Sequence, residues 1–128
     1  MGANPTQAMK ALKEAEDYKG PSIVIAYASC IAHGIKGGLQ NSIEMEKMAT
    51  QSGYHPIFRY NPDTKEFNLD SKTVDFDLYD EFLNLQTRYN MLKVVNPDKA
   101  KELLKINKDD AIERFNYYKK LDEEKESN

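Results

Sequence analysis

The sequence predicts an incomplete α/β fold, a buried parallel strand and a shorter one followed by a helical carboxyl-terminal part. Three observations carry this. Ser22-Ile23-Val24-Ile25-Ala26-Tyr27-Ala28 is apolar on both faces except for Ser22 and the Tyr27 hydroxyl, the pattern of a strand covered on both sides. A helical pattern before it runs through Gly20-Pro21 into the strand, which reads as the second half of a βαβ unit whose first strand is missing. The last third of the chain repeats apolar residues at helical spacing.

Taken in order, Asn4-Pro5-Thr6-Gln7 opens the first helix: Asn4 as cap, Pro5 at the first helical position, Gln7 reaching back to the cap. Ala8, Met9, Leu12 and Ala15 form its apolar stripe, and the helix is expected to stop near Tyr18. After the glycine loop, Asn41-Ser42-Ile43-Glu44 reads as a capping box. That helix turns Leu39, Ile43, Met48 and Ala49 toward a core and ends by Gly53. Ile57-Phe58-Arg59-Tyr60 is the short strand. Residues 63–77 are expected to form an ordered loop, with one extended piece near Phe67.

Residues 78–121 form the helical extension. Leu78, Phe82, Leu85, Tyr89 and Leu92 make one seam, Asn96-Pro97 ends it and starts a short helix, and Asn107 is read as the cap of a last helix carrying Ile112, Phe115 and Leu121. Residues 122–128 are expected to fray. The first 62 residues are assigned to the α/β part. Two short strands make a poor sheet. The chain is therefore expected to be marginal alone and better formed inside something larger.

Composition excludes several function classes. Net charge is −3, with 40% hydrophobic and 30% charged residues. Asp122, Glu123, Glu124 and Glu126 against Lys125 account for that charge, so no basic footprint for nucleic acid is present. No apolar run of about 20 residues exists to span a membrane. No secretory signal is read, and the single cysteine cannot form an internal disulfide, so a cytoplasmic location is expected.

Cys30 ends the Ser22–Ala28 strand, where open α/β sheets gather ligands. It reads three ways: an inert packed cysteine, a thiolate ligand, or a redox thiol. As a ligand it needs partners from elsewhere, since an iron–sulfur cluster takes about four protein ligands. His33 lies three residues on, within the range of a Cys–His pair but without a readable third group, and reads first as a loop anchor. His55 is taken as a surface or loop residue. Gly34, Gly37 and Gly38 lack the spacing of a phosphate loop. Asp63, Asp70, Asp75 and Asp77 lack the order of a calcium loop and read as turn and cap residues. Arg59 among Tyr54, Phe58 and Tyr60 reads as packing.

Gly2-Ala3-Asn4-Pro5-Thr6-Gln7, the Lys10-x-x-x-Glu14-Ala15 helix, Gly20 to Tyr27 and Cys30-Ile31-Ala32-His33-Gly34-Ile35 follow in an order that resembles the pyruvate:ferredoxin (flavodoxin) oxidoreductases. Gly53-Tyr54, Phe58 to Pro62, Phe67-x-Leu69-Asp70-Ser71-Lys72, Phe82-Leu83 and Arg88-Tyr89 continue the match across nearly all of the chain. The resemblance implies the carboxyl-terminal part of a thiamine-diphosphate-binding domain plus the helical extension after it. The full enzyme decarboxylates pyruvate oxidatively with coenzyme A. It uses thiamine diphosphate with magnesium and passes electrons through [4Fe–4S] clusters to ferredoxin or flavodoxin, as a homodimer. Cys30 matches the family's remote cluster cysteine, which implies one of four [4Fe–4S] ligands.

The other cluster cysteines, the Gly-Asp-Gly…Asn magnesium and diphosphate signature, and the domains for pyruvate and coenzyme A have no counterpart in this sequence. Ser29 stands where family members often carry proline. The expectation is a segment of the longer enzyme, without a catalytic residue, a held cofactor or activity of its own. The competing expectation is an independent small α/β interaction protein.

Overall fold

The computed structural model describes residues 2–124. It mixes helix and strand as expected, with a largely helical carboxyl-terminal part. Helix α1 spans Pro5–Asp17. Asn4 caps it, its side-chain oxygen accepting from the Gln7 N–H at 3.1 Å. The Gln7 side chain does not return to the cap. It donates to Asp70 Oδ2 at 3.0 Å instead, because a buried-side ion pair offers it a charged acceptor. The expected apolar stripe of α1 is not covered by the described residues: none of its residues is buried and Met9 is 65% exposed.

Polar contacts hold α1 in place. Arg59 Nη1 donates to both Glu14 oxygens at 2.6 and 2.7 Å. Its Nε and Nη2 grip Asp70 in a two-pronged pair at 2.8 and 2.9 Å. Arg59 is thus an ion-pair hub rather than simple packing.

The Ser22–Ala28 expectation is corrected. This stretch is neither helix nor strand, and Ile23 and Ile25 are 87% and 80% exposed. The reason lies in hydrogen bonding. A strand needs a ladder partner, and the strands described here pair with each other. β1 (Phe58–Asn61) and β2 (Glu66–Leu69) form an antiparallel hairpin, Phe58 opposite Leu69 and Asn61 opposite Glu66. β1 is the expected short strand shifted by one residue, and β2 is the extended piece expected near Phe67.

Helix α2 spans Ser42–Gln51. Asn41 precedes it but its side chain makes no capping bond, so the expected box is not formed. Met45 and Ala49 are buried, whereas Leu39 and Ile43 are exposed. Gly53 then turns with φ +76, and a Cβ there would meet the Phe76 ring at 2.6 Å. Only glycine suits both constraints.

The expected single seam over 78–92 is two helices, α3 (Leu78–Leu85) and α4 (Thr87–Val95). Gln86 between them takes φ −91, ψ 115. Tyr79, Phe82 and Leu83 of α3 are buried at 0–1% exposure, while Val94 and Val95 at the far end of α4 are exposed. Helix α5 then runs unbroken over Pro97–Glu124. Asn96 caps it through the Lys99 N–H at 3.0 Å. Asn107 does not cap a new helix, because its side chain accepts from the Tyr79 hydroxyl at 2.6 Å and leaves the helical backbone intact.

Among the described residues, two clusters form the core. Ala49, Tyr79, Phe82, Leu83 and Ala111 join α2, α3 and α5. Phe67, Leu69 and Phe115 seat the hairpin on α5. Apolar burial of this kind is the main favourable term, and each well-covered Phe or Leu contributes about 1.5–3 kcal/mol. Of the tail expected to fray, Asp122 to Glu124 belong to α5 and residues 125–128 lie outside the described residues. Asp122 is tied down, accepting from the Leu69 N–H at 3.0 Å and pairing with Lys72.

Candidate thiolate site at Cys30

Cys30 starts a tight turn. The Gly34 N–H donates to the Cys30 carbonyl at 2.8 Å, and Gly34 closes the turn at φ +72, a conformation that glycine reaches without strain. This brings Cys30 Sγ to 3.2 Å from His33 Nδ1. The His33 side chain, then the backbone N–H groups of His33 and Ala32, stabilise the charged sulfur and pull the Cys30 thiol down from 9.0 to about 7. The Cys–His contact is real, and the residue read first as a loop anchor touches the sulfur itself.

The turn is pinned to the helical part. Ile35 is buried and forms an isolated antiparallel bridge with Gln86. The Lys36 N–H donates to the Leu85 carbonyl at 2.9 Å, and the Thr87 N–H donates to the Gly34 carbonyl at 3.4 Å. The break between α3 and α4 therefore presents backbone groups to the cysteine loop. Nothing in the sequence marks Gln86 for this role: a break in helical pairing has no signature when the apolar seam on either side continues. Beside the turn, the Ser29 hydroxyl and the Gln86 side-chain amide nitrogen are buried without a protein partner among the described residues.

Tyr27, three residues before the cysteine, belongs to an aromatic group. The Tyr27 ring lies 6.0 Å from Tyr54, 5.5 Å from His55 and 6.4 Å from Phe82, centre to centre. Burial, with the nearby charges of Tyr54, Glu46 and Cys30, pushes the Tyr27 hydroxyl up to about 12. His55, read as a surface or loop residue, lies in the loop after Gly53, half-buried against Tyr27, and burial lowers its pKa.

The remaining candidates resolve as framework. Gly34, Gly37 and Gly38 all take positive φ, as loop geometry requires. Asp75 accepts from the Asp77 N–H in a turn, and Asp63 accepts from the Tyr18 hydroxyl. Asp70 belongs to the Arg59 pair. Among the described residues no group of three or more His, Cys, Asp or Glu side chains could hold a metal ion. The donor set is thus one thiolate, presented on a turn whose amides favour the charged sulfur. That chemistry suits a single ligand in a shared iron–sulfur site.

No family model matches the chain. Individual proteins do. A pyruvate-flavodoxin oxidoreductase of Enterobacter agglomerans is 43% identical over 126 residues, which cover 94% of this chain and 11% of that protein. A pyruvate:ferredoxin oxidoreductase of Moorella thermoacetica is 45% identical over 128 residues, 96% of this chain and 11% of its own length. A mitochondrial NADP-dependent pyruvate dehydrogenase of Euglena gracilis is 40% identical over 124 residues, 92% of this chain and 7% of its own length. The chain therefore spans about a tenth of the length of the curated relatives it matches. The resemblance read from the ordered motifs is borne out: over nearly its whole length the chain is homologous to one segment of the pyruvate:ferredoxin and pyruvate-flavodoxin oxidoreductases.

Proposed function

We propose that the chain acts as a carboxyl-terminal segment of a pyruvate:ferredoxin or pyruvate-flavodoxin oxidoreductase, in which Cys30 is one ligand of a [4Fe–4S] cluster. The observation that carries this is the 43–45% identity along 94–96% of the chain to enzymes of that name. It also favours this reading over a free-standing interaction module. The other ligands, the thiamine diphosphate with its magnesium, and the sites for pyruvate and coenzyme A belong to the rest of the enzyme. The cluster, when bound, supplies one-electron transfer toward ferredoxin or flavodoxin.

The chain's own residues perform a holding task. Gly34 closes the turn, the amides of Ala32 and His33 favour a deprotonated sulfur, and the Ile35–Gln86 bridge fixes the loop to the helices. The exposed Ile23, Ile25 and Ile31 give the remainder of the enzyme an apolar surface to cover. The full enzyme is read as a cytoplasmic homodimer. No helix among the described residues is long and apolar enough to cross a membrane.

The test is Cys30→Ala in the longer oxidoreductase that carries this chain. The expected result is loss of the iron of one cluster together with ferredoxin reduction. Full iron content with normal ferredoxin reduction overturns the assignment.

A further inference from the structure

We infer that His33 is a positioning residue that donates a hydrogen bond from Nδ1 to the ligating sulfur of Cys30 and so raises the reduction potential of the cluster bound there. The inference rests on the ligand role proposed for Cys30. Its starting observation is the 3.2 Å contact between His33 Nδ1 and Cys30 Sγ. A neutral imidazole nitrogen is either a donor or an acceptor, and a thiol sulfur can be either. An iron-bound sulfur has lost its proton and only accepts. The contact survives ligation only with the proton on Nδ1, which assigns the donor to His33.

Two further features keep the imidazole there. The Gly34 N–H to Cys30 carbonyl bond at 2.8 Å fixes the offset of three residues that brings ring and sulfur together. The bridge from Ile35 to Gln86 then anchors the end of that turn to the core. The His33 side chain is exposed, and its ring makes no other hydrogen bond among the described residues. Packing does not explain its orientation, whereas the sulfur does.

The consequence is electrostatic. Reduction adds one electron to the cluster, with no proton moving in this description. The added charge spreads onto the sulfurs. A donor aimed at a sulfur stabilises the reduced state more than the oxidised one, and hydrogen bonds to sulfur are among the factors that set cluster potentials. Residues that orient and polarise a ligand act in this way at other metal sites.

The experiment is an electron-paramagnetic-resonance redox titration of the iron-loaded, full-length oxidoreductase, with His33→Leu and His33→Asn compared with the parent. The signal followed is the one that Cys30→Ala abolishes. For His33→Leu, which has no donor, the expected result is full iron content and a more negative potential. A shift of about tenfold in the reduced-to-oxidised ratio is expected, which is about 59 mV for a one-electron couple. His33→Asn keeps an N–H donor and is expected to stay near the parent. Loss of the cluster in His33→Leu with retention at the parent potential in His33→Asn also supports the donor role. A parent-like potential in His33→Leu overturns it, as does an equal shift in both variants or loss of the cluster in both. If Cys30→Ala abolishes no cluster signal, the ligand assignment itself fails, whatever the His33 variants do.

Discussion

Ile35 pairs with Gln86, and this single antiparallel bridge joins the cysteine turn to the junction of α3 and α4. It explains why the helical seam breaks where it does. A continuous helix would turn the Leu85 carbonyl and the Thr87 amide into its own ladder. With Gln86 at φ −91, ψ 115, the Leu85 carbonyl accepts from Lys36 and the Thr87 amide reaches Gly34. The helix break is the anchor of the Cys30 loop.

Thr87→Pro tests this anchor, because the ring carbon takes the place of the N–H and pushes against the Gly34 carbonyl oxygen that lies 3.4 Å from the nitrogen. Thr87 is the first residue of α4, where proline is well tolerated, and Gln86 before it already has the backbone that proline favours. The substitution removes the N–H that reaches Gly34. Helix content measured by circular dichroism is expected to be unchanged, with stability lower by about 0.5–1.5 kcal/mol. Hydrogen exchange of the Lys36 amide should accelerate. Unchanged exchange there would mean that the bridge does not hold the loop.

Arg59 gives a second prediction. Its side chain is 13% exposed, and that of Asp70 is 21% exposed. Arg59→Ala leaves the Asp70 carboxylate partly buried without its two-pronged partner, at a cost of about 1.5–3 kcal/mol for lost bonds to a charged group. Glu14→Ala touches only the more exposed arm of the cluster and should cost under about 1 kcal/mol. Burial alone would raise the Asp70 pKa, but the bonds from Arg59 and Gln7 win and hold it below its usual value. Its contribution is therefore full above the ordinary carboxylate value of about 4 and is lost as pH falls through the lowered one. Thermal melts across that acid range should show a pH-dependent fall in the parent that is smaller in Arg59→Ala.

These elements also show what was legible in the sequence. Part of the local signal was: Asn4 caps the first helix as read, Asn96-Pro97 opens the next one, and the short strand forms one residue further on, whereas the box read at Asn41 does not form. Long-range pairing was not. The apolar run at Ile23–Ile25 looks like a buried strand, but burial depends on ladder partners that its own residues do not encode. Asn107 carries a helix-cap signal locally, yet Tyr79, distant in sequence, claims its side chain. The site was half legible. Cys30 stood out by position and by resemblance, while the His33 contact needed the turn geometry and the Gln86 anchor needed the fold.

The Cys30 thiol is predicted to react as a thiolate near neutral pH in the metal-free chain. Its pKa of about 7 lies below the 9.0 of an unperturbed thiol. Alkylation by iodoacetamide, followed against pH, should rise with a midpoint near 7, for the Cys30–His33 pair as a unit. His33→Ala removes the largest stabilising contact and should move that midpoint upward. A midpoint near 9.0, the value of an unperturbed thiol, in the parent chain would contradict the turn geometry.

Asp122 provides the last test, on a segment expected to be loose. Its Oδ1 accepts from the amide of Leu69, a residue 1% exposed, and its other oxygen pairs with Lys72, which is largely exposed. The two contacts differ in kind. Asp122→Asn keeps an oxygen for the amide and loses only charge toward an exposed lysine, so a cost under about 1 kcal/mol is expected. Asp122→Ala leaves a buried N–H without that acceptor, which costs about 1–3 kcal/mol. Urea denaturation of the two variants should therefore place Asp122→Ala clearly below Asp122→Asn. Equal midpoints for both would show that the end of α5 does not clamp the hairpin, and that the tail is as loose as its charge alone implies.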